Sequence, residues 1–440
     1  MKFLFVDNFR GFHRTLLPIA DVNFLVGENS TGKTSILALL SLLSTRKFWV
    51  NLGFDSEYVE LGSFDNIVSI NAAKRDYFRI GLIYQHYPTK DTQESVYMAF
   101  LLTFKEKEEL PCPYRLSYIS MDKQIHVKYG PQTLYYKFED LPPINSDDEF
   151  IAGVFEKWVK IHERQDTGYQ RLSTKADLPY SLFREDITFT MQRITDMVSR
   201  QAKLKPRIFV RVPRPFKEDI TWLDPIRSKP RRIYEKYGVA FSPSGEHTPY
   251  LIRRLLSTRD AVAFAKYLEK FGGTSRLYKS IAFTHYGNPM TSPFELSIML
   301  HKNPLNIAVV GYGLAQALPI IVELFQKPAG KYFAIQQPEI HLHPMAQVAM
   351  GELFADLAFD RKLGFLVETH SDFTIDGFRI KYGKTPSTSK PSAQILFFER
   401  SRGNNSVYPI SILENGQISE EQPKSYRDFF IDHQMYMLGL

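Results

Sequence analysis

The eight residues Gly27-Glu28-Asn29-Ser30-Thr31-Gly32-Lys33-Thr34 constrain this chain more than any other feature. They fit G-x-x-x-x-G-K-[ST], follow an apolar run from Val22 to Val26 that reads as a strand, and open an apolar run from Ser35 to Leu40 that reads as a helix. Strand, glycine-containing loop and helix in that order make a phosphate-binding loop. Its glycines let backbone N–H groups converge on phosphate oxygens, and the helix N-terminus adds the positive end of its dipole. In such a loop Lys33 reaches the outer phosphates of ATP and Thr34 offers its hydroxyl to Mg2+, with Gly27, Glu28, Asn29, Ser30, Thr31, Gly32 and Ser35 forming the rest of the cradle. An incidental glycine-rich turn would not explain the strand and the helix on either side. Arg10, at a turn next to the loop's strand, is either a plain surface arginine or a further contact to the nucleotide.

Composition narrows the class. One cysteine in 440 residues, Cys112, cannot make an internal disulfide, so a disulfide-built secreted scaffold and a Cys-rich zinc module are both excluded and a cytoplasmic location is expected. The first residues, MKFLFVDNFRGF, reach Asp7 and Arg10 too soon to form the apolar core of a secretion signal. The most apolar long window, from Ile307 to Phe325, is interrupted by Gln316, Pro319 and Glu323 and falls short of the roughly 20 apolar residues that span a bilayer, so no membrane partner is expected. The net charge of +7 is unevenly spread. From Arg200 to Lys236 there are twelve Lys/Arg against four Asp/Glu, interleaved with Phe209, Phe216, Trp222 and Tyr234. That composition suits a nucleic-acid surface, and equally a solvated charged face with structural aromatics.

Along the chain, residues 2–6 alternate as a strand, and five runs rich in Tyr, Phe, Ile and Val between Tyr77 and Phe138 predict an antiparallel sheet. Pro142 to Asp148 reads as a linker, Phe150 to Ala202 as helical, and Arg207 to Val212 as another strand, while Thr248-Pro249 predicts a helix start. The last third alternates strand and helix (IAVV, LAQALPIIVELF, KYFAI, MAQVAMGELFADLA, LGFLVET, AQILFFER), the mark of a parallel sheet flanked by helices. The expected division is residues 1–145, the N-terminal part of the nucleotide-binding lobe with its antiparallel sheet; 146–300, a helical insertion and lid; and 301–440, the C-terminal part of the lobe.

A phosphate-binding loop needs an apolar strand ending in acids that hold Mg2+ and polarise water, and Tyr332 to Glu339 is the best candidate. Here the sequence resembles ABC-type ATPases of the RecF, SMC and OLD-nuclease kind, above all the bacterial AAA_21 proteins that include ATPase subunits of antiphage systems. Asn8-Phe9-Arg10-Gly11-Phe12 resembles the family's opening strand and turn. Leu223-Asp224-Pro225-Ile226-Arg227, Pro230 to Tyr234 and Ser244-Gly245-Glu246-His247-Thr248 are similar to its stretch before the lid. Val310-Gly311-Tyr312-Gly313-Leu314-Ala315-Gln316 looks like its ABC signature, Gln337-Pro338-Glu339-Ile340-His341-Leu342-His343-Pro344 like the end of its Walker B strand, and Val367-Glu368-Thr369-His370-Ser371 like its switch-histidine loop. The resemblance implies an α/β fold: an ABC-ATPase head with a P-loop lobe, an antiparallel β-subdomain and an inserted helical lid. It also implies a homodimer or higher even oligomer that sandwiches ATP, with Gly311, Gly313 and Gln316 of one subunit facing Lys33 and Thr34 of the other, and His370 bonded to the terminal phosphate. The implied task is that of an ATP-dependent sensor controlling a separate nuclease or toxin. A RecF- or SMC-like DNA-repair ATPase and a non-hydrolysing ATP-dependent scaffold are the alternatives. No nuclease-spaced Asp/Glu/His cluster appears, so any nuclease is expected on another chain.

Two departures from the family pattern matter. Gln336 and Gln337 stand where the Walker B strand carries acids, and an amide neither takes a proton nor supplies negative charge. Three readings stay open: Glu339 or another carboxylate substitutes, the protein binds ATP as a slow switch, or an acid has been exchanged for its amide. Gln336 could still offer its amide oxygen to Mg2+. Ala315 replaces a signature hydroxyl. His341 and His343, spaced H-x-H, read either as a metal pair or as shapers of a loop at the subunit seam.

Overall fold

The computed structural model describes residues 2–86, 96–120, 123–141, 147–164, 167–172, 186–201, 215–216, 218–236, 238–288, 291–300 and 303–428. The expected linker at 142–146, the strand read at 207–212 and part of the basic stretch (202–214 and Lys217) lie outside the described residues. The chain forms two compact units from interleaved segments: Met1–Ala20, Glu28–Asp219 and Phe398–Val407 make the first, and Asp21–Gly27, Ile220–Phe397 and Tyr408–Leu440 the second.

The chain opens with β1 (Lys2–Asp7), β2 (Thr15–Pro18) and β3 (Val22–Gly27), the last of which belongs to the second unit. The first unit continues with α1 (Lys33–Ser44), α2 (Arg46–Asn51) and α3 (Phe64–Ile67). Then comes the antiparallel run that the aromatic and β-branched pattern predicts: β4 (Phe78–His86), β5 (Val96–Lys107), β6 (Leu110–Ser120), β7 (Lys123–Tyr129) and β8 (Leu134–Asp140). With β9 (Gln170–Arg171) these make an eight-stranded sheet ordered β2-β1-β4-β5-β6-β7-β8-β9. The β5–β6 hairpin turns through Glu108 and Glu109 at φ 55° and 66°, the left-handed pair that matches the twist of the two strands. On this sheet α4 (Asp147–Glu163) stacks Phe155 on Phe5 at 4.9 Å between centroids, and fully buried Trp158 donates its indole N–H to Gln124 Oε1 at 2.8 Å. Helix α5 (Ile187–Gln201) buries Ile187, Met191, Ile194 and Val198, a single stripe at helical spacing. Register across β1 and β4 sets Asp7 opposite Arg79, and the two make a buried ion pair. The next residue, Asn8, donates to the carbonyls of Lys74 and Tyr77 at 2.8 and 2.6 Å, which fixes the turn that carries Arg10.

A six-stranded sheet is ordered β10-β14-β15-β3-β16-β17, with β10 (Thr221–Leu223), β14 (Tyr332–Gln336), β15 (Gly364–Glu368), β16 (Ala393–Ser401) and β17 (Asn404–Ser411); all of it but Phe398–Val407 counts with the second unit. The pairs β10–β14, β14–β15 and β15–β3 are parallel, and every residue of β3, β14 and β15 is buried, as continuous apolar strands covered on both faces must be. Between β10 and β14 run α6 (Thr248–Leu255), which starts at the proline read from the sequence, α7 (Ala261–Ser275), the small antiparallel sheet β11 (Ser280–His285), β12 (Phe294–Met299) and β13 (Pro304–Asn306), and α8 (Tyr312–Gln326). Helices α9 (Pro344–Arg361) and α10 (Asp372–Lys384) complete the unit. One expectation is corrected here. The run IAVV is not a strand: Ile307–Val309 forms a 3-10 turn, initiated by Asn306, whose Oδ1 accepts the Ala308 N–H at 3.0 Å. An apolar run of four residues is too short for periodicity to tell the two apart. Among the described residues, no helix is long and apolar enough to cross a membrane.

Candidate functional site

The glycine-rich loop belongs to the first unit from Glu28 onward, and its geometry follows from two constraints. Gly32, the N-cap of α1, sits at φ 93°, and a Cβ there would lie 2.5 Å from the Phe12 ring and 3.0 Å from Asn405 Nδ2. Only glycine meets both the left-handed backbone and the close approach. Glu28 folds its carbonyl inward, where it accepts from Thr31 Oγ1 at 2.8 Å and from Lys33 Nζ at 2.6 Å. The Lys33 ammonium is therefore held back over the loop at the head of α1, whose first-turn N–H groups carry no acidic neighbour. Lys33 is buried, while Glu28, Asn29, Ser30 and Thr34 are exposed and Ser30 takes a left-handed φ of 63°. Gly27, the last residue of β3, has φ 140°.

Arg10 is not a free surface arginine. Its Nε and Nη2 donate to the carbonyls of Asn66 and Leu61 at 3.1 and 2.8 Å, and Nη1 lies 3.4 Å from Ser35 Oγ in the first turn of α1. Burial lowers its pKa from the ordinary guanidinium value. Ser35 is thereby the residue of the cradle that Arg10 touches.

In the second unit, parallel pairing of β14 with β15 sets Gln336 opposite Glu368, and Gln336 Nε2 donates to Glu368 Oε2 at 3.1 Å. Gln337 turns the chain at φ 44° while its N–H bonds the Glu368 carbonyl at 2.7 Å. Glu339 then reaches back to the loop after β15, accepting from Thr369 Oγ1 at 2.8 Å and from the His370 N–H at 2.7 Å. Burial pushes the Glu339 carboxyl above its usual range, against these hydrogen bonds and the Arg227 charge, which pull it down. The His370 side chain is exposed.

Arg227 ties this cluster together, and the sequence reading missed it. The residue is 4% exposed, with Nη2 donating to the Gln336 carbonyl at 2.9 Å and Nη1 to that of Gln337 at 3.4 Å. Burial brings its pKa down to about 10, opposed by the charges of Glu339 and Asp224. Gln316 on α8 grips the backbone of the same arginine, accepting its N–H at 3.3 Å and donating to its carbonyl at 3.4 Å. The expectation that Gln316 reaches outward toward a partner's nucleotide is therefore corrected: it lies on the buried side of α8 and its amide is spent on Arg227. Gly311 and Gly313 differ from one another. A Cβ at Gly313 would lie 2.6 Å from the His341 carbonyl, whereas one at Gly311 would meet nothing within 4 Å, so nothing in this chain demands a glycine there.

The basic stretch also reads differently in three dimensions. Of its described aromatics, Phe216, Trp222 and Tyr234 are all buried, Arg227 faces inward, and Arg231 pairs with Glu246 at 2.8 Å. The three described aromatics and Arg227 serve the interior. His341 and His343 do not converge on a common point with acids, and among the described residues no group of three or more His, Cys, Asp and Glu is arranged to hold a metal ion.

Chemically, the loop of the first unit offers a buried ammonium, backbone N–H groups and a hydroxyl, all suited to phosphate. The strand ends of the second unit offer two neutral amides and two carboxylates, Glu339 and Glu368, of which Glu368 shares its charge with Gln336. The signal for Glu368 was present in Val367-Glu368-Thr369-His370-Ser371; its partner across the sheet was not.

Comparison with known proteins agrees on the class. The AAA ATPase domain family, AAA_15, matches residues 1–375. No curated protein matches the sequence. Among solved structures, the chain is similar to the Smc head bound to the C-terminal winged-helix domain of ScpA, at 12% identity over 93% of this chain and 97% of that one, with a TM-score of 0.44. It is similar also to the Smc head with an extended coiled coil bound to the C-terminal domain of ScpA from Pyrococcus furiosus (12% identity, 100% and 99% covered, TM-score 0.41) and to the SMC head of Thermotoga maritima (10%, 93% and 97%, TM-score 0.38). With an α/β P-loop fold in place and the family matched over most of its length, the chain belongs to the AAA ATPase domain family.

Proposed function

We propose that this ATPase is a slow, ATP-gated switch: a sensor subunit that assembles with itself on binding ATP and restrains a separate nuclease or toxin, as in bacterial antiphage defence. The observation that carries the reading is the uneven equipment of its two halves, a complete phosphate loop against strand ends that hold amides where fast turnover needs acids. A phosphate loop is supported by Gly32, whose left-handed backbone and closeness to Phe12 admit only glycine, and by Lys33, drawn over the loop. In this reading Lys33 and the amides of Gly27 to Thr34 would hold the phosphates and the Thr34 hydroxyl would be offered to Mg2+; in the second unit the Gln336 amide oxygen is the neutral donor, and Glu339 the carboxylate, that the strand ends could bring to such chemistry. His370, exposed at the end of β15, reaches for the terminal phosphate. Mg2+, when bound, would neutralise charge between the outer phosphate oxygens. An amide at Gln336 keeps a coordinating oxygen but gives no charge to the transition state, so binding is retained and chemistry is slow.

The unexplained glycine at 311 supports self-assembly, as do the exposed apolar side chains of Ile226, Val309 and Tyr312 in the second unit. Closed two-fold pairing is the usual solution for such a surface. The test is light scattering with and without ATP, followed by expression beside the neighbouring genes with Lys33 intact or replaced by Ala. Dimers that form only with ATP, and toxicity released by Lys33→Ala, are expected. A chain that stays monomeric, or whose turnover is stimulated by DNA with no toxic neighbour, overturns the switch and favours a repair ATPase.

A further inference from the structure

The segments Pro230 to Tyr234 and Ser244 to Thr248, singled out in the sequence and unused by the nucleotide chemistry, come together in the second unit around a cavity of about 460 Å3. That is the size of site that takes a small organic ligand. We propose that this cavity binds a small aromatic anion. Its walls are apolar, from Ile252, Leu296, Ile307 and Leu318, with Tyr234 and Tyr250 set edge to face at 5.7 Å. Flat aromatic bodies pack well against such a lining. One polar group inside has nothing to bind: Thr248 is 3% exposed, lines the cavity, and its Oγ1 has no hydrogen-bond partner. A buried hydroxyl left unpaired costs about 1–3 kcal/mol, which a ligand oxygen or nitrogen would recover.

Charge selects the ligand's sign. The lining carries Lys229, Arg231 and Glu246; Arg231 and Glu246 pair with each other, and exposed Lys229, whose Nζ lies 5.9 Å from the centre of the Tyr312 ring, is the cation in excess. The N-terminal end of α6 lies in the same wall and adds positive potential. The site is also rigid before any ligand arrives. Ser228 bonds Ser244 through both backbone (2.7 Å) and hydroxyls (2.9 Å). Gly245 sits at φ 79° with Pro319 so close that a Cβ would lie 2.4 Å from its ring. His247, whose Nδ1 accepts the Ser242 N–H at 3.1 Å, donates from Nε2 to buried Glu323 at 2.7 Å.

Ala315, Leu318 and Pro319 of α8 form one wall, so occupancy bears on the helix that begins at the signature and, through Gln316 and Arg227, on the end of β14. This regulatory consequence rests on the switch proposed above; the binding itself does not. The experiment titrates the full chain with 8-anilinonaphthalene-1-sulfonate, an aromatic anion whose fluorescence reports burial, and in parallel with its neutral relative N-phenyl-1-naphthylamine. One saturable site per chain is expected for the anion, weakened about three- to tenfold in Thr248→Val by loss of one hydrogen bond, lost in Ala315→Phe, and unchanged in Lys33→Ala. Circular dichroism and melting of each variant identify any that fail to fold, and Thr248→Val, nearly isosteric, carries the test if Ala315→Phe does. Binding indifferent to both substitutions in folded protein, or no saturable site, overturns the proposal. Equal affinity for the neutral probe overturns its anionic part. A cavity that binds while ATP-dependent assembly fails would sink the switch and leave the ligand site standing.

Discussion

The loop of the first unit and the strand ends of the second differ in how they secure their functional groups. The loop secures a cation by local means: within six residues, Thr31 and Lys33 both donate to the Glu28 carbonyl, and Gly32 supplies the left-handed backbone. The strand ends secure carboxylates by distant means, joining residues 227, 316, 336, 339, 368 and 369, which lie far apart in the chain. At the strand ends the Gln336 Nε2 donates to Glu368, where a second carboxylate would repel it.

The largest effect that could break this contrast is at Lys33. Replacing it by Ala should weaken ATP about 100-fold or more, roughly 3 kcal/mol for a lost charge-assisted contact, and equilibrium binding of a labelled nucleotide reads it. Unchanged affinity would mean that the first unit is not the binding half. Gly32→Ala comes next. A left-handed φ and a collision with Phe12 should cost about 2 kcal/mol, seen as a lowered midpoint in denaturant melts, together with weaker ATP binding.

Gln336→Glu sharpens the other half. Steady-state phosphate release should rise about tenfold, equivalent to roughly 1.4 kcal/mol of barrier, with ATP affinity little changed. The new carboxylate would face Glu368 at the distance now spanned by a 3.1 Å hydrogen bond. Two carboxylates so close do not both ionise cheaply, so the variant should melt lower than the parent at pH 8 without Mg2+ and recover when Mg2+ is added. If Gln336→Glu changes nothing while Glu339→Gln abolishes turnover, Glu339 is the working acid.

The smallest effect is a pH dependence confined to the second unit. Burial would raise the Glu323 carboxyl, but its hydrogen bonds from His247 and Gln326 and the charge of Lys327 win, and it stands below its usual range. A carboxyl depressed by folding contributes stability above its unfolded pKa, near 4.3, and that stability is lost as pH falls through the folded value. Glu323→Gln should therefore melt lower than the parent by about 1 kcal/mol at pH 6–7, with the two curves converging below about pH 4. A difference that does not shrink on acidification would assign the loss to packing.

Much of the fold was legible because its signals are periodic and local. β1, the antiparallel run from β4 to β8, the buried strands β14 and β15 and the proline start of α6 all stand where alternation, apolar runs and turn residues put them. What was not legible depended on side-chain placement. The four-residue run at 307–310 had too little length for a period, and its fate was set by the side chain of Asn306. In the basic stretch the burial of Phe216, Trp222, Tyr234 and Arg227 was not legible either, because composition records charge but not which way a side chain faces.

By itself the sequence determined the phosphate loop, since a glycine, a lysine and a threonine in fixed order between a strand and a helix are recognisable without any distant neighbour, although Phe12 and Asn405 pack against Gly32. It also determined that amides stand at 336 and 337. Tertiary structure alone decided what those amides do. The parallel register of β14 on β15 gives Gln336 a carboxylate 32 residues away, the turn after it aims Glu339 at Thr369, and Arg227 enters from a loop over a hundred residues earlier to bond both carbonyls. Side-chain partners across a sheet follow from strand order and register, and these are fixed by burial of the whole core and not by any residue's immediate neighbours.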